Sequence, residues 1–172
     1  HAQYGVVGLL TAISLAWVDR LLATRTALAT RKRLLLLACV GAALTLPMLR
    51  AMAQREHLML IFLLPYLFGF LTGQAGQDRT APDKGRGAIA RAAFAAIGLC
   101  IKPHFMAIPL ALTIVRMIET HSLRPVFAAS NMVILAIASG YVAFILKLHP
   151  EYLDDVVPLA STVYGGFGLP WD

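Results

Sequence analysis

From residue 126 to residue 146 the chain carries no charged side chain and no proline. A run of that length is what the hydrocarbon core of a bilayer asks of a helix, which needs about 20 predominantly apolar residues to cross at 1.5 Å per residue. Five further apolar segments precede it, at roughly 4 to 18, 34 to 49, 58 to 72, 88 to 101 and 103 to 119. These are shorter, so each borrows flanking residues or is sheltered inside a bundle. Backbone polar groups in lipid have to be satisfied internally, and no segment alternates in the manner of a barrel strand. The expected fold is therefore all-α: a polytopic transmembrane bundle of about six membrane helices, with 1–172 a single transmembrane domain. Composition agrees, with 59% hydrophobic and 14% charged residues and a mean hydropathy of +0.72. The chain starts at His1 and stops at Gly168-Leu169-Pro170-Trp171-Asp172, and is read as an internal piece of a larger membrane protein, incomplete at both ends.

The net charge of +6 does not point to nucleic acid. The basic residues lie in short stretches between apolar segments, which is how cations orient membrane helices. In a six-helix arrangement Arg20, Arg25, Arg31, Lys32, Arg33, Arg79, Lys84, Arg86, Arg91, Arg116 and Arg124 fall on one side, and Arg50, Arg55, Lys102 and Lys147 on the other. Eleven against four predicts that the first side is cytoplasmic. The polar loop Gly73 to Gly87 then lies on the cytoplasmic side, and residues 147–172 form an extracytoplasmic interfacial segment. Cys39 and Cys100 sit inside apolar segments and are expected to pack, with no disulfide or metal knuckle.

The outer side collects Arg50, Arg55, Glu56, His57, Lys102, His104, Lys147, His149, Glu151, Asp154 and Asp155. Lys102-Pro103-His104 interrupts the apolar sequence between Ala92 and Val115, where a lysine at mid-membrane costs roughly 2.5 to 3.5 kcal/mol. Pro103 suits the first position of a helix, so a hairpin at Lys102-Pro103 is the expected geometry. One long kinked helix is the alternative, and it would reverse the sidedness of everything that follows. In the hairpin, the third and fifth helices both begin on the outer face. Free N–H groups and a partial positive charge at those N-termini, flanked by Arg55, His57, Lys102 and His104, make a poor arrangement for the empty protein and a good one for a bound anion. The plainer readings are a snorkelling lysine at a turn and a helix entry at Arg55-Glu56-His57 that meets a lipid headgroup.

The stretch Gln54-Arg55-Glu56-His57-Leu58-Met59-Leu60-Ile61-Phe62-Leu63-Leu64-Pro65-Tyr66-Leu67, followed by Gly98-Leu99-Cys100-Ile101-Lys102-Pro103-His104-Phe105, resembles bacterial polytopic glycosyltransferases of the C-type superfamily, mannosyl- and arabinosyltransferases among them. The resemblance covers residues 50 to 115 and the hydropathy profile beyond. It implies a multi-pass enzyme of the bacterial inner membrane, a hexosyl- or pentosyltransferase that takes a sugar from a polyprenyl-phosphate donor on the extracytoplasmic side. It also implies that Lys102 and Arg55 contact the donor phosphate, with His104 and His57 as neighbours. That superfamily carries its catalytic acid in a first outer loop near the N-terminus. This chain has no such loop, so the general base is expected upstream of residue 1.

Partners implied are the polyprenyl-linked sugar and membrane lipids. No cofactor is expected, a divalent metal being the one addition such a reaction admits. Asp154-Asp155 with Glu151 and His149 offer a cation carboxylate oxygens and an imidazole, but adjacent carboxylates point in different directions, and a solvated interfacial helix opened by Pro150 accounts for them too. Tyr152, Tyr164, Phe167 and Trp171 read as sugar-stacking or as interface anchors. Pro65, Pro109 and Gly69 read as kinks or close packing. Two rival classes remain: a polytopic transporter, which predicts inverted repeats that the chain does not display, and a non-catalytic subunit that binds lipid headgroups.

Overall fold

The computed structural model describes residues 2–45, 54–75, 85–149, 151–159 and 162. Arg50, Arg79, Lys84, Pro150, Tyr164, Phe167 and Trp171, together with most of the Gly73 to Gly87 loop and the five terminal residues, lie outside the described residues. Every regular element among the described residues is helical: α1 Ala2–Arg25, α2 Thr30–Thr45, α3 Arg55–Ala75, α4 Arg86–Ile101, α5 Ala107–Thr120 and α6 Ala129–Leu148. Single 3₁₀ turns at Pro103–Met106 and Arg124–Phe127 flank α5, and a π-helical turn covers Tyr152–Val156. The chain divides into two compact units, the first ending at Ile137 and the second opening at Ala138.

Among the described residues, three helical stretches are long and apolar enough to cross a membrane, Tyr4–Arg25, Arg55–Gly73 and Ala129–Leu148, which is the mark of a membrane protein. Over their described residues the other three fall short of that length. With 16, 16 and 14 residues, α2, α4 and α5 extend only about 21 to 24 Å, against a hydrocarbon core of about 30 Å. Large apolar side chains on the helix surfaces stand exposed, Leu9, Leu35, Leu71, Ile97, Leu110 and Ile118 among them, a surface that suits lipid and not water.

Within the first unit α3 is the central helix. One face meets α4, whose small residues Ala92, Ala95 and Ala96 let the backbones approach and pack on Met59 and Leu63. The approach is closest at Gly98, where a Cβ would lie 2.5 Å from the Phe62 Cβ and 3.3 Å from the Met59 carbonyl oxygen. Arg91 beside Gly69 and Gly98 beside Met59 make α4 antiparallel to α3. Another face of α3 meets α1 and α2 through Val7, Leu44 and Ile61. The Asp19–Arg33 ion pair at 2.8 Å ties α1 to α2 at one end. Trp17 sets its ring edge-on to Phe94, centroids 5.2 Å apart, and Phe94 in turn packs on Phe62.

Pro65 lies inside α3 and cannot donate to the carbonyl four residues back, which belongs to Ile61. The Ser14 hydroxyl of α1 donates to that carbonyl at 2.8 Å instead, and both residues are fully buried. A hydroxyl in an otherwise apolar helix is thus explained by a proline in its neighbour. Ser14→Ala should lower stability by about 1 to 3 kcal/mol by stranding a buried carbonyl. In a Pro65→Ala background, where residue 65 regains its N–H, the same substitution should cost far less. Thermal unfolding of the four purified proteins checks this, and equal costs in both backgrounds would separate the two residues.

The chain reverses after α4. Lys102 leaves helical geometry at φ −139° and ψ 85°, and Pro103 takes the opening position of the 3₁₀ turn. Lys102 lies beside Glu56 at the start of α3, whereas Arg116, about two and a half turns into α5, lies over the Phe70 ring toward the end of α3. Hence α5 runs parallel to α3 and opposite to α4, which is the hairpin and not the kinked helix. One correction is local: α5 proper begins at Ala107 and not at Pro103, because the reversal is made by a 3₁₀ turn. Asn131 of α6 donates to Thr113 Oγ1 at 2.9 Å and to the Pro125 carbonyl at 2.8 Å, closing the α5–α6 connection. Ile134 then joins the α3–α4 core.

The second unit holds the rest of α6 and the π-helical turn. Phe144 packs against the His149 ring, centroids 5.8 Å apart, and His149 Nδ1 lies 3.5 Å from Glu151 Oε1.

Candidate functional site

Alternation of helix direction in the first unit gathers its charged residues at two ends. The ends of α1, α3 and α5 and the starts of α2, α4 and α6 carry Arg20, Arg25, Arg31, Lys32, Arg33, Arg86, Arg91, Arg116 and Arg124. The other end has Arg55 and Lys102 with Glu56, His57 and His104. These five residues come from two places only: the first turn of α3 and the turn between α4 and α5.

At that end one contact dominates. Lys102 Nζ donates to Glu56 Oε1, joining residues 46 apart in sequence. Glu56 sits in the first turn of α3, where a carboxylate also complements the helix dipole, and Lys102 pairs with it there. The Lys102 side chain is 21% exposed and that of Glu56 47%. Phe105 completes the arrangement, its ring centroid 5.7 Å from the ammonium. The Phe105 N–H donates to the Lys102 carbonyl at 3.1 Å, holding the turn shut. An ammonium has three donors, and Glu56 occupies one.

The remaining candidates do not converge as closely. Arg55 opens α3 and is exposed. His104 is exposed, its ring tilted over Phe105 at 4.5 Å. His57 is only 1% exposed; four and seven residues before Ile61 and Leu64, it lies on the face of α3 turned toward α1 and α2. Neither of its ring nitrogens has a hydrogen-bond partner, an uncommon state for a buried imidazole. The α3 N-terminus contributes backbone donors as well, since the first helical bond is made only by the Leu58 N–H to the Gln54 carbonyl at 3.1 Å. Lys102, Arg55 and the first N–H groups of α3 together form a patch able to meet an anion, with Glu56 as the resident competitor.

Asp154 and Asp155 lie in the π-helical turn, both exposed. Among the described residues no three His, Cys, Asp or Glu side chains gather closely enough to hold a metal.

The sequence places Glu56 among the outer polar residues and in the helix entry at Arg55-Glu56-His57, without pairing it with Lys102. A carboxylate beside two cationic segments was the available signal. No family model matches the chain, and no curated protein or solved structure matches it either.

Proposed function

We propose that the chain is the donor-binding part of a membrane glycosyltransferase, which holds the phosphate of a polyprenyl-phosphate-linked sugar at the Lys102 turn. The observation that carries this reading is the placement of a partly exposed ammonium beside the N-terminus of α3, at the end of the bundle poor in cations. Two of its three donors remain for a phosphate, and Arg55 and the α3 N–H groups add positive potential from a second direction. As the glycosidic bond breaks, negative charge builds on the leaving phosphate, and fixed cations stabilise it more than they stabilise the bound donor. Glu56 orients Lys102 in the resting protein and yields part of it to the donor. The acceptor is deprotonated by a carboxylate outside the assigned residues.

In this reading the helices cross an inner membrane with the cation-rich end in the cytoplasm, the short helices α2, α4 and α5 completing the crossing inside the bundle. Sidedness is checked by cysteine labelling in a background with Cys39 and Cys100 replaced by alanine. Leu28→Cys, in the α1–α2 connection, should be shielded from an impermeant thiol reagent in intact cells, and His104→Cys should react. The reverse pattern would invert the orientation.

The function itself is tested by photo-cross-linking with a diazirine-bearing polyprenyl phosphate. Adducts should concentrate on residues 54–57 and 102–106 and should be competed by unlabelled polyprenyl phosphate but not by phosphatidylcholine. Adducts spread along the lipid-facing helices would dismiss a donor site.

A further inference from the structure

We infer that the connection between α5 and α6 is an anchor for the headgroup layer of an anionic membrane leaflet, with Leu123 and Phe127 entering the acyl edge and Arg124 meeting lipid phosphate. Leu123 is 66% exposed and Phe127 74%, the highest value for a large apolar side chain among the described residues. Arg124, in the same short turn, is exposed as well.

The exposure is built into the backbone. After α5 the residue His121 takes the left-handed conformation, φ 46° and ψ 39°, and the Ser122 N–H donates to the Met117 carbonyl at 3.3 Å, closing the helix end. The 3₁₀ turn Arg124–Phe127 is then held by the Val126 N–H on the Leu123 carbonyl and the Ala128 N–H on the Pro125 carbonyl, both at 3.1 Å. Asn131 of α6 binds the same Pro125 carbonyl. Side chains three apart eclipse in a 3₁₀ turn, so Arg124 and Phe127 share one side of it. The turn at the other end of α5 does the opposite, packing Phe105 and Met106 against the α3–α4 core. An aromatic left outside is therefore not a necessity of such a turn.

Depth follows from α6. Its residues Ala129–Leu148 are long and apolar enough to cross a membrane, and at 1.5 Å per residue they extend about 30 Å, the thickness of the hydrocarbon core. Residues 121–128 then lie where the core meets the headgroups. There apolar side chains gain by insertion and an arginine keeps its charge among phosphates. Charge selects the lipid. Arg31 and Lys32 at the same end of the bundle are exposed like Arg124, and the carboxylates described there, Asp19 and Glu119, are paired with Arg33 and Arg116. The α1–α2 connection repeats the arrangement, with Leu28 39% exposed ahead of Arg31 and Lys32. An anionic headgroup suits this edge better than a zwitterionic one. The anchor depends on membrane insertion alone and stands whether or not a sugar donor binds at the Lys102 turn.

For the test, the full chain with Cys39 and Cys100 replaced by alanine is labelled with bimane at Phe127→Cys and reconstituted into phosphatidylcholine vesicles containing nitroxide lipids. Nitroxides near the headgroup should quench the label more than nitroxides at mid-chain. Leu110→Cys, 61% exposed and about 15 Å along α5 from Thr120, should show the reverse. Moving the shallow nitroxide onto phosphatidylglycerol at the same mole fraction should increase quenching at residue 127, toward the roughly fivefold local enrichment that about 1 kcal/mol per surface cation gives. Arg124→Gln should remove most of that increase, and Leu110→Cys should show none. Leu123→Cys reads the same boundary and serves if the Phe127 variant does not fold. Quenching by neither nitroxide at residues 123 and 127, as a connection in water or under a protein partner would give, overturns the anchor. Stronger quenching from mid-chain, no increase with phosphatidylglycerol, or an increase that Arg124→Gln leaves unchanged overturns it too.

Discussion

Gly98→Val will sharply reduce the yield of folded protein, at a cost of about 3 kcal/mol or more. The first added carbon already meets the Phe62 Cβ at 2.5 Å, and the Met59 carbonyl oxygen stands at 3.3 Å. Neither obstacle is the far end of a flexible side chain, so α3 and α4 have to move apart. Separation opens the contact of Ala95, Ala96 and Leu99 with Met59 and Leu63, all of them buried. It also draws Lys102 away from Glu56, because the last turn of α4 leads directly into that residue. Gly8→Ala is the matched control, since nothing lies within 4 Å of its Cβ position, and it should gain slightly from the better helix propensity of alanine. Membrane-inserted protein and thermal midpoint measure both. A Gly98→Val protein as stable as the wild type would mean that the two helices are not in this register.

In the full-length protein, Lys102→Ala should lower sugar transfer from a polyprenyl-phosphate donor roughly ten- to a hundredfold, which corresponds to removing one charge-assisted contact worth about 1.5 to 3 kcal/mol. Accumulation of the protein should be close to normal, because the hairpin is made by Pro103 and by the Phe105 N–H bond to the residue-102 carbonyl. Lys102→Arg should retain part of the activity: the charge persists, but the guanidinium fork reaches Glu56 and a phosphate in a different geometry. Arg55→Ala should show a smaller loss of the same kind, and the double variant less than the sum if both side chains grip one phosphate. The measurement is transfer of labelled sugar in membranes at matched protein levels and subsaturating donor. A wild-type rate for Lys102→Ala would reduce the residue to a turn that merely pairs with Glu56.

Apolar segments located the six α-helices of the described residues, because burial from water is a property of composition and needs no partner to be read. Their ends were less legible. The first segment stops at residue 18 by hydropathy, yet α1 continues to Arg25, because Asp19 is carried inside the helix by its pairing with Arg33. A charge ends an apolar segment on paper without ending a helix. At the candidate site, Arg55 and Lys102 announced themselves as expensive cations. Their geometry did not, since the Lys102–Glu56 contact depends on the register of α4 against α3, which is tightest where Gly98 meets Phe62. His57 shows the same limit: one residue along from Glu56 in sequence, it is turned by about 100° around the helix and enters the core.

The hydrogen bond from Ser14 to the Ile61 carbonyl bears on the order in which the chain is made. A ribosome delivers α1 first. When α3 emerges with its proline and one carbonyl short of a donor, a bilayer offers no water to supply it, but the helix that can is already in place. Had the two segments been synthesised in the opposite order, α3 would have waited in lipid with an open acceptor, exposed to whatever other polar group came past. Moving the coding sequence for residues 2–29 behind that for the rest of the chain would put this to work as a biosynthetic timer, with premature degradation of α3 as the readout and Pro65→Ala as the change that relieves it.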